Sequence, residues 1–246
     1  MMYAGPEGYE RSEMLSPAVL LGGPGESLIC HADRAQLVSS CLFHPAGLWS
    51  SVDPAAFIVI YLDPISNPGR LVQSCGDSPR AVPQLLDYLQ QYPESFTGIG
   101  AAGFSAAQAS GFIAALRAGI QALGAQPAED ERIRQVAEAL SENPVGRLDL
   151  KWLAAMVGIS SERLRHLFKQ QTGITLSKYK AWRQVHAMFC HIVSTQGPVY
   201  DWHIHETLQS AGFYDDSHGY RTLSQYFGPH RSNADQDLLL VNCLDK

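Results

Sequence analysis

The sequence has no apolar run long enough to cross a bilayer: the longest, Ala55 to Leu62, falls far short of the roughly 20 residues a spanning helix needs. No basic stretch leads into an apolar one at its start, so a secretory leader is not expected. Cysteine is scarce and unpatterned. Cys30, Cys41, Cys75, Cys190 and Cys243 form an odd set without a CxxC pair, which fits reduced thiols in a cytosol rather than a disulfide framework. There is no Gly-rich phosphate loop, no G-x-S-x-G elbow, and no carboxylate pair or metal triad at useful spacing, so an enzyme is not expected. Excess positive charge is lacking too: 18 Lys and Arg stand against 24 Asp and Glu, a net charge of −6.

What is present is the composition of a folded chain, with 46% hydrophobic and 17% charged residues over 246 positions, enough for two domains. The charge is unevenly placed. Residues 1–129 hold 5 basic against 11 acidic side chains, residues 130–232 hold 12 against 10, and residues 233–246 hold 1 against 3. Within residues 147–190 the count is 8 basic against 2 acidic, a local excess of the kind that neutralises phosphates.

The first 26 residues read as a loose arm with one short apolar run, Ala18 to Leu21. Runs at Ser27 to Cys30, Gln36 to Phe43 and Ala56 to Leu62, separated by Pro, Gly and Asp, predict β-strands. Asp63 to Arg70, with two prolines, reads as a loop. Val82, Leu85, Leu86 and Leu89 follow helical spacing before Pro93, and a second helix is expected from Ser105 to Leu123, stopped by Gly124. Gln126 and Pro127 mark the expected domain boundary.

Farther on, Asp149 is placed to cap a helix over Leu150, Leu153, Ala154 and Val157, and Gly158 to end it in a left-handed turn. Ser160 caps the next helix, Ser161 to Gln171, which stops at Gly173. Helix, glycine turn and helix make a helix-turn-helix. At about 100° per residue from Glu162, Leu164, Leu167 and Phe168 fall at about 200°, 140° and 240°, while Arg165, His166 and Lys169 share the opposite face with Glu162. An apolar wedge under a cationic, hydrogen-bonding edge is what reading a major groove requires. An ordinary amphipathic surface helix has the same pattern.

The run LAAMVGISSERLRHLFKQQTG, Leu153 to Gly173, resembles the first helix-turn-helix of AraC-family regulators in its Ala pair, its Gly-Ile-Ser turn, its Leu-x-x-Leu-Phe wedge and its closing Thr-Gly. Tyr179, Arg183 and Ala187 resemble that family's long connecting helix, with Tyr179, Trp182, Val185, Phe189 and Ile192 as the buried stripe. AGFYDDSHGYRTLSQYFG, Ala211 to Gly228, resembles its second unit. The resemblance implies DNA contacts from Glu162, Arg165, His166 and Lys169 on the first recognition helix, and from Ser217, Tyr220, Arg221 and Ser224 on the second. It also implies departures. Gly219 stands where the family places a large apolar residue, and Thr207 and Leu208 where it has an apolar residue and a small Ala, so a hole is expected beneath the second recognition helix. Asp215 and Asp216 at that helix's start are expected to weaken its grip on phosphate.

AraC regulators of this type carry a cupin-like sensor in front, and Phe43 to Pro64 resembles its latter part, shortened. Trp49, Phe57 and Tyr61 are expected in its core. His31 and His44 lack the clustered partners of a metal site, as do His203 and His205, and Cys190 is expected to be a structural thiol. The fold class expected is therefore α+β: a small, incomplete β-rich cupin-like domain over residues 1–78, a helical linker for dimerisation over 79–127, an all-α double helix-turn-helix over 128–232, and a tail over 233–246 whose apolar Leu238 to Val241 has no assigned role. The expected function is that of a cytoplasmic, sequence-specific regulator binding double-stranded DNA, without metal or cofactor and away from membranes. Its expected partners are a small-molecule effector, a second copy of itself and RNA polymerase. The rival expectation is a non-enzymatic interaction protein derived from such a regulator, with weakened DNA binding.

Overall fold

The computed structural model describes residues 2–5, 9–23, 25–32, 35–53, 57–91, 106–124, 128–142, 149–194 and 204–227. The expected boundary at Gln126 and Pro127, His203, Cys243 and the tail from residue 228 lie outside them.

The N-terminal part is built from two antiparallel sheets. In one, β1 (Met2–Gly5), β8 (Phe57–Tyr61), β3 (Ala18–Gly22), β6 (Cys41–His44) and β9 (Arg80–Ala81) lie side by side in that order. In the other the order is β2 (Tyr9–Glu13), β7 (Trp49–Asp53), β4 (Leu28–Ala32) and β5 (Ala35–Ser39). The first 26 residues are thus no loose arm; they supply three strands. The run Gln36 to Phe43 is two strands rather than one.

Strand β3 shows why the sheets stack. Its side chains alternate, and both sets are buried. Ala18 and Leu20 meet Leu42, Val59 and Tyr61 of their own sheet and Leu28, Cys30 and Val52 of the other. Val19 and Leu21 pack with Phe43 and Ile60 on the outer face, against helices α1 (Asn67–Gln73), α2 (Pro83–Gln90) and α3 (Ala106–Ala122) through Leu71, Val72, Leu85, Leu89, Phe112 and Leu116. A strand covered on both sides reads as a continuous apolar run. The apolar faces of α2 and α3 are therefore spent on the sheet. Helix α1 replaces the expected loop: Ser66 accepts a hydrogen bond from the Gly69 amide at 3.1 Å, and Pro68 sits in the first turn, where its missing N–H costs nothing.

The helical part follows as α4 (Glu131–Glu142), α5 (Leu150–Met156), α6 (Ser161–Thr172), α7 (Leu176–Ser194), α8 (Ile204–Ser210) and α9 (Asp216–Phe227). Its core joins the interior of the sandwich. One apolar cluster runs from Leu20, Val59 and Tyr61 through Trp182 and Val185 to Phe168 and Leu208, with the Tyr61 and Trp182 rings 6.3 Å apart. Tyr179, Trp182 and Val185 are buried as expected, while Phe189 is half-buried and Met188 is buried beside it; the Ile192 side chain lies outside the described residues. Polar contacts cross the same boundary. Asp63 accepts from the Tyr179 hydroxyl at 3.4 Å and faces Arg183 at 3.4 Å; burial pushes its carboxyl above the ordinary range, partly offset by the Ile65 amide and Arg183. Arg70, also buried, pairs with Glu129 at 3.0 Å.

His44 lies inside the sandwich. One ring nitrogen meets the Pro45 carbonyl at 2.9 Å and the other the Ser50 hydroxyl at 2.8 Å, so neither is free to hold a metal. His31 is exposed beside Asp53 at 3.7 Å. Among the described residues no group of three or more His, Cys, Asp or Glu side chains could hold a metal ion, and no helix is long and apolar enough to cross a membrane. Tyr61 is core, but Trp49 is 44% exposed on the outer face of the second sheet, contrary to expectation. A cavity of about 40 Å³ lies between the first sheet and its helices, lined by Phe43, Leu71, Cys75 and Arg80 among others.

Candidate nucleic-acid interface

Two helix-turn-helix units are built on the same hydrogen bonds. In the first, Asp149 caps α5 by accepting from the Lys151 amide at 3.2 Å. Gly158, at φ 68°, turns the chain so that the Ile159 amide donates to the Ala154 carbonyl at 3.0 Å. In the second, Gly212 does the same at φ 81° and the Phe213 amide donates to the Leu208 carbonyl at 3.0 Å. Both second helices then start on a side-chain cap: Ser160 accepts from the Arg163 amide at 3.1 Å, and Asp215 from the His218 amide at 2.6 Å.

These bonds fix the correspondence. The second turn is one residue longer, so Glu162, Arg165, His166 and Lys169 of α6 match Ser217, Tyr220, Arg221 and Ser224 of α9. On α6 the wedge Leu164, Leu167 and Phe168 is buried while Glu162, Arg165, His166 and Lys169 are all exposed. None of these four side chains makes a hydrogen bond or ion pair to another described residue. A cationic edge left unneutralised by its own protein is open to an anion. On α9, Ser217, Tyr220 and Arg221 are exposed, and Arg221 folds its Nε onto the Ser217 carbonyl at 3.2 Å. The Ser224 side chain lies outside the described residues.

The expected hole beneath α9 does not exist. A Cβ on Gly219 would stand 2.6 Å from Cδ2 of Leu208, a side chain only 1% exposed. The first unit has small Ala154 on its first helix and large Leu164 on its second; the second unit has Leu208 and Gly219 at the matching places, the same volume supplied from the other side. The two departures from the family pattern compensate each other.

The acids at the start of α9 also have work that the sequence reading missed. Asp215 is the cap, and negative charge at a helix N-terminus is favoured by the helix dipole. Asp216 meets Nδ1 of His205 at 2.8 Å, and Gln209 meets the other nitrogen at 3.0 Å. The signal for the first was in the spacing, an Asp three residues before a helical amide; nothing local announced the second. Cys190 sits 3.7 Å from His186 with its thiol pushed up by burial, as an unreactive thiol would.

No family model and no curated protein matches the chain. Solved structures do match. ToxT from Vibrio cholerae strain O395 superposes at TM-score 0.58 with 8% identity, over 95% of this chain and 95% of its own. ToxT bound to (E)-4-(8-methylnaphthalen-1-yl)but-3-enoic acid gives 0.54 with 6% identity over 91% and 92%, and ToxT bound to an unsaturated fatty acid gives 0.51 with 8% identity over 92% and 87%. The chain has the fold of ToxT. At such low identity the likeness covers the architecture alone, a β-sheet N-terminal part followed by helices, over 91% to 95% of the chain.

Proposed function

We propose that the chain is a sequence-specific DNA-binding transcriptional regulator of the AraC type, which lays α6 and α9 in successive major-groove turns about 34 Å apart. The observation that carries this reading is the edge of α6: Arg165, His166 and Lys169 exposed and unpaired above a buried wedge. Arg165 is the main base contact, because a guanidinium pairs bidentately with guanine O6 and N7; Glu162 accepts from cytosine N4, Lys169 takes a phosphate, and Tyr220 and Arg221 lead the contacts of α9. The working division is a sensor over residues 1–78, a linker over 79–127 and a DNA-binding domain over 128–232.

Replacing Arg165 by Ala is expected to weaken binding to the operator by about 1 to 3 kcal/mol and to relax preference at one base pair only. A binding-site selection with wild type and variant checks it. Equal loss at every position would assign Arg165 to phosphate instead.

The protein partners in this reading are RNA polymerase and a second copy of the chain. The face of α3 turned away from the sheet, with Ala114 and Ala118 exposed, is free for that copy, and light scattering giving a monomer at micromolar concentration would remove it from the reading. A small-molecule effector is supported by the acids bound to ToxT. The cavity beside Cys75 is far below the roughly 300 Å³ of an ordinary ligand site, so it is not where such a molecule enters.

A further inference from the structure

Glu13, at the end of β2, is a carboxylate where an apolar side chain would be expected: it is 4% exposed. A buried charge is tolerated only when paired and hydrogen-bonded. Both partners come from the other half of the molecule. One carboxylate oxygen pairs with Nζ of Lys178, in the first turn of α7, and the other accepts from Nε2 of Gln225 on α9 at 3.1 Å. Lys178 sits just after the first helix-turn-helix unit, and Gln225 lies one turn beyond Arg221 on the second recognition helix. A single acidic side chain thus ties β2 to the connecting helix and to the second unit.

The position of Glu13 is itself fixed. The next residue, Met14, exchanges backbone hydrogen bonds with Leu48 at 2.9 Å and Gly47 at 2.8 Å in the turn between β6 and β7. The Ala46 amide in that turn donates to the Gln73 side chain at 2.9 Å, and Gln73 packs against Gly173, which ends α6. This one turn is therefore linked through Gln73 to the end of the first recognition helix and through Glu13 to the flank of the second.

The charges show what such a tie does. Residues 1–129 carry a net −6, and Glu13 of β2 meets Gln225 on the flank of the α9 face that would meet phosphate. Glu13 also neutralises Lys178, one of the 8 basic residues in the cationic stretch 147–190. We propose that Glu13 is a clasp that holds the acidic N-terminal part against the second recognition helix and restrains DNA binding until it is released. This rests on the DNA-binding reading above.

The test uses the full chain with Glu13→Gln, which keeps size and shape, and Lys178→Gln. Hydrogen exchange follows residues 9–13 and 216–225, and fluorescence anisotropy follows a duplex carrying the promoter region next to the protein's own gene at two salt concentrations. Both variants are expected to speed exchange in both segments. E13Q is expected to bind the duplex about ten-fold more tightly than wild type, with a log-log salt slope steeper by about one unit because Lys178 is freed; K178Q opens without that gain in slope. Unchanged exchange in both variants overturns the clasp. Faster exchange with affinity equal to or weaker than wild type overturns the restraint while leaving the DNA reading standing. If none of the three proteins binds the duplex at low salt, the DNA reading falls and the restraint with it, while a duplex bound by E13Q alone supports both.

Discussion

Leu208→Ala is expected to cost about 3 kcal/mol of folding stability, within the 2 to 5 typical of buried leucines, and Gly219→Leu alone about 1 to 3 by overpacking. Together they should cost far less than the sum. The double variant recreates in the second unit the Ala154 and Leu164 arrangement of the first, and the added leucine also removes a helical glycine worth roughly 0.5 to 1 kcal/mol. The reason is steric: with a Cβ of residue 219 placed 2.6 Å from Leu208, one pocket accepts one large side chain from either helix. Urea unfolding of the four proteins gives the coupling directly. Simple addition of the two costs would show that the pocket is not shared.

The second large effect is on acid stability. Burial holds the His44 imidazole down at about 4, offset in part by its bond to Pro45, whereas in the unfolded chain it titrates near 6.5. The native state therefore favours the neutral ring. The stability that this neutrality protects is complete above pH 6.5 and is lost as the pH falls toward 4, because unfolding then takes up a proton the native site refuses. Between pH 7 and pH 4 the loss amounts to about 3 kcal/mol. His186, also held down at about 4 by burial, acts in the same direction, so the informative quantity is the difference between wild type and His44→Gln. That difference is expected to shrink by about 3 kcal/mol over the window. A constant difference across these pH values would mean that the ring is not confined as described.

How much of this was legible in the sequence followed from the range of the interactions. The first helix-turn-helix is written within 25 residues: caps at Asp149 and Ser160, turn glycines at Gly158 and Gly173, and a wedge at helical spacing, each a local bond the structure confirms. Helices α2 and α3 were likewise legible from apolar period with Pro93 and Gly124 as stops, α3 to within a residue at each end. The sandwich was harder because its rules are non-local. Strand β7, WSSVD, hides Ser50 rather than an apolar residue, since Ser50 is the partner of His44; a polar interior breaks the alternation that announces a strand. Strand β2 carries Glu13 inward for partners more than 160 residues away. Helix α4 has its own period but was passed over beside the richer text that follows.

The candidate site divides the same way. The exposed edge of α6 was read correctly because a helix wheel needs only the helix. Beneath α9 a single position misled: Gly219 implies a hole only if Leu208 is ignored. Gly219 and Asp216 acquire their meaning from partners on another element, Leu208 and His205 of α8. Asp215 and Asp216 each make a structural bond as well as carrying a charge.

The most direct measurement of the central claim is the salt dependence of duplex binding by the unmodified chain. Anisotropy titrations at several concentrations between about 50 and 200 mM salt should give log affinity falling linearly with log salt at a slope several units steep, as expected when Lys169 and its neighbours displace counterions from phosphate. Binding that is absent at the lowest salt, or whose slope is near zero, would contradict the placement of α6 in a DNA groove.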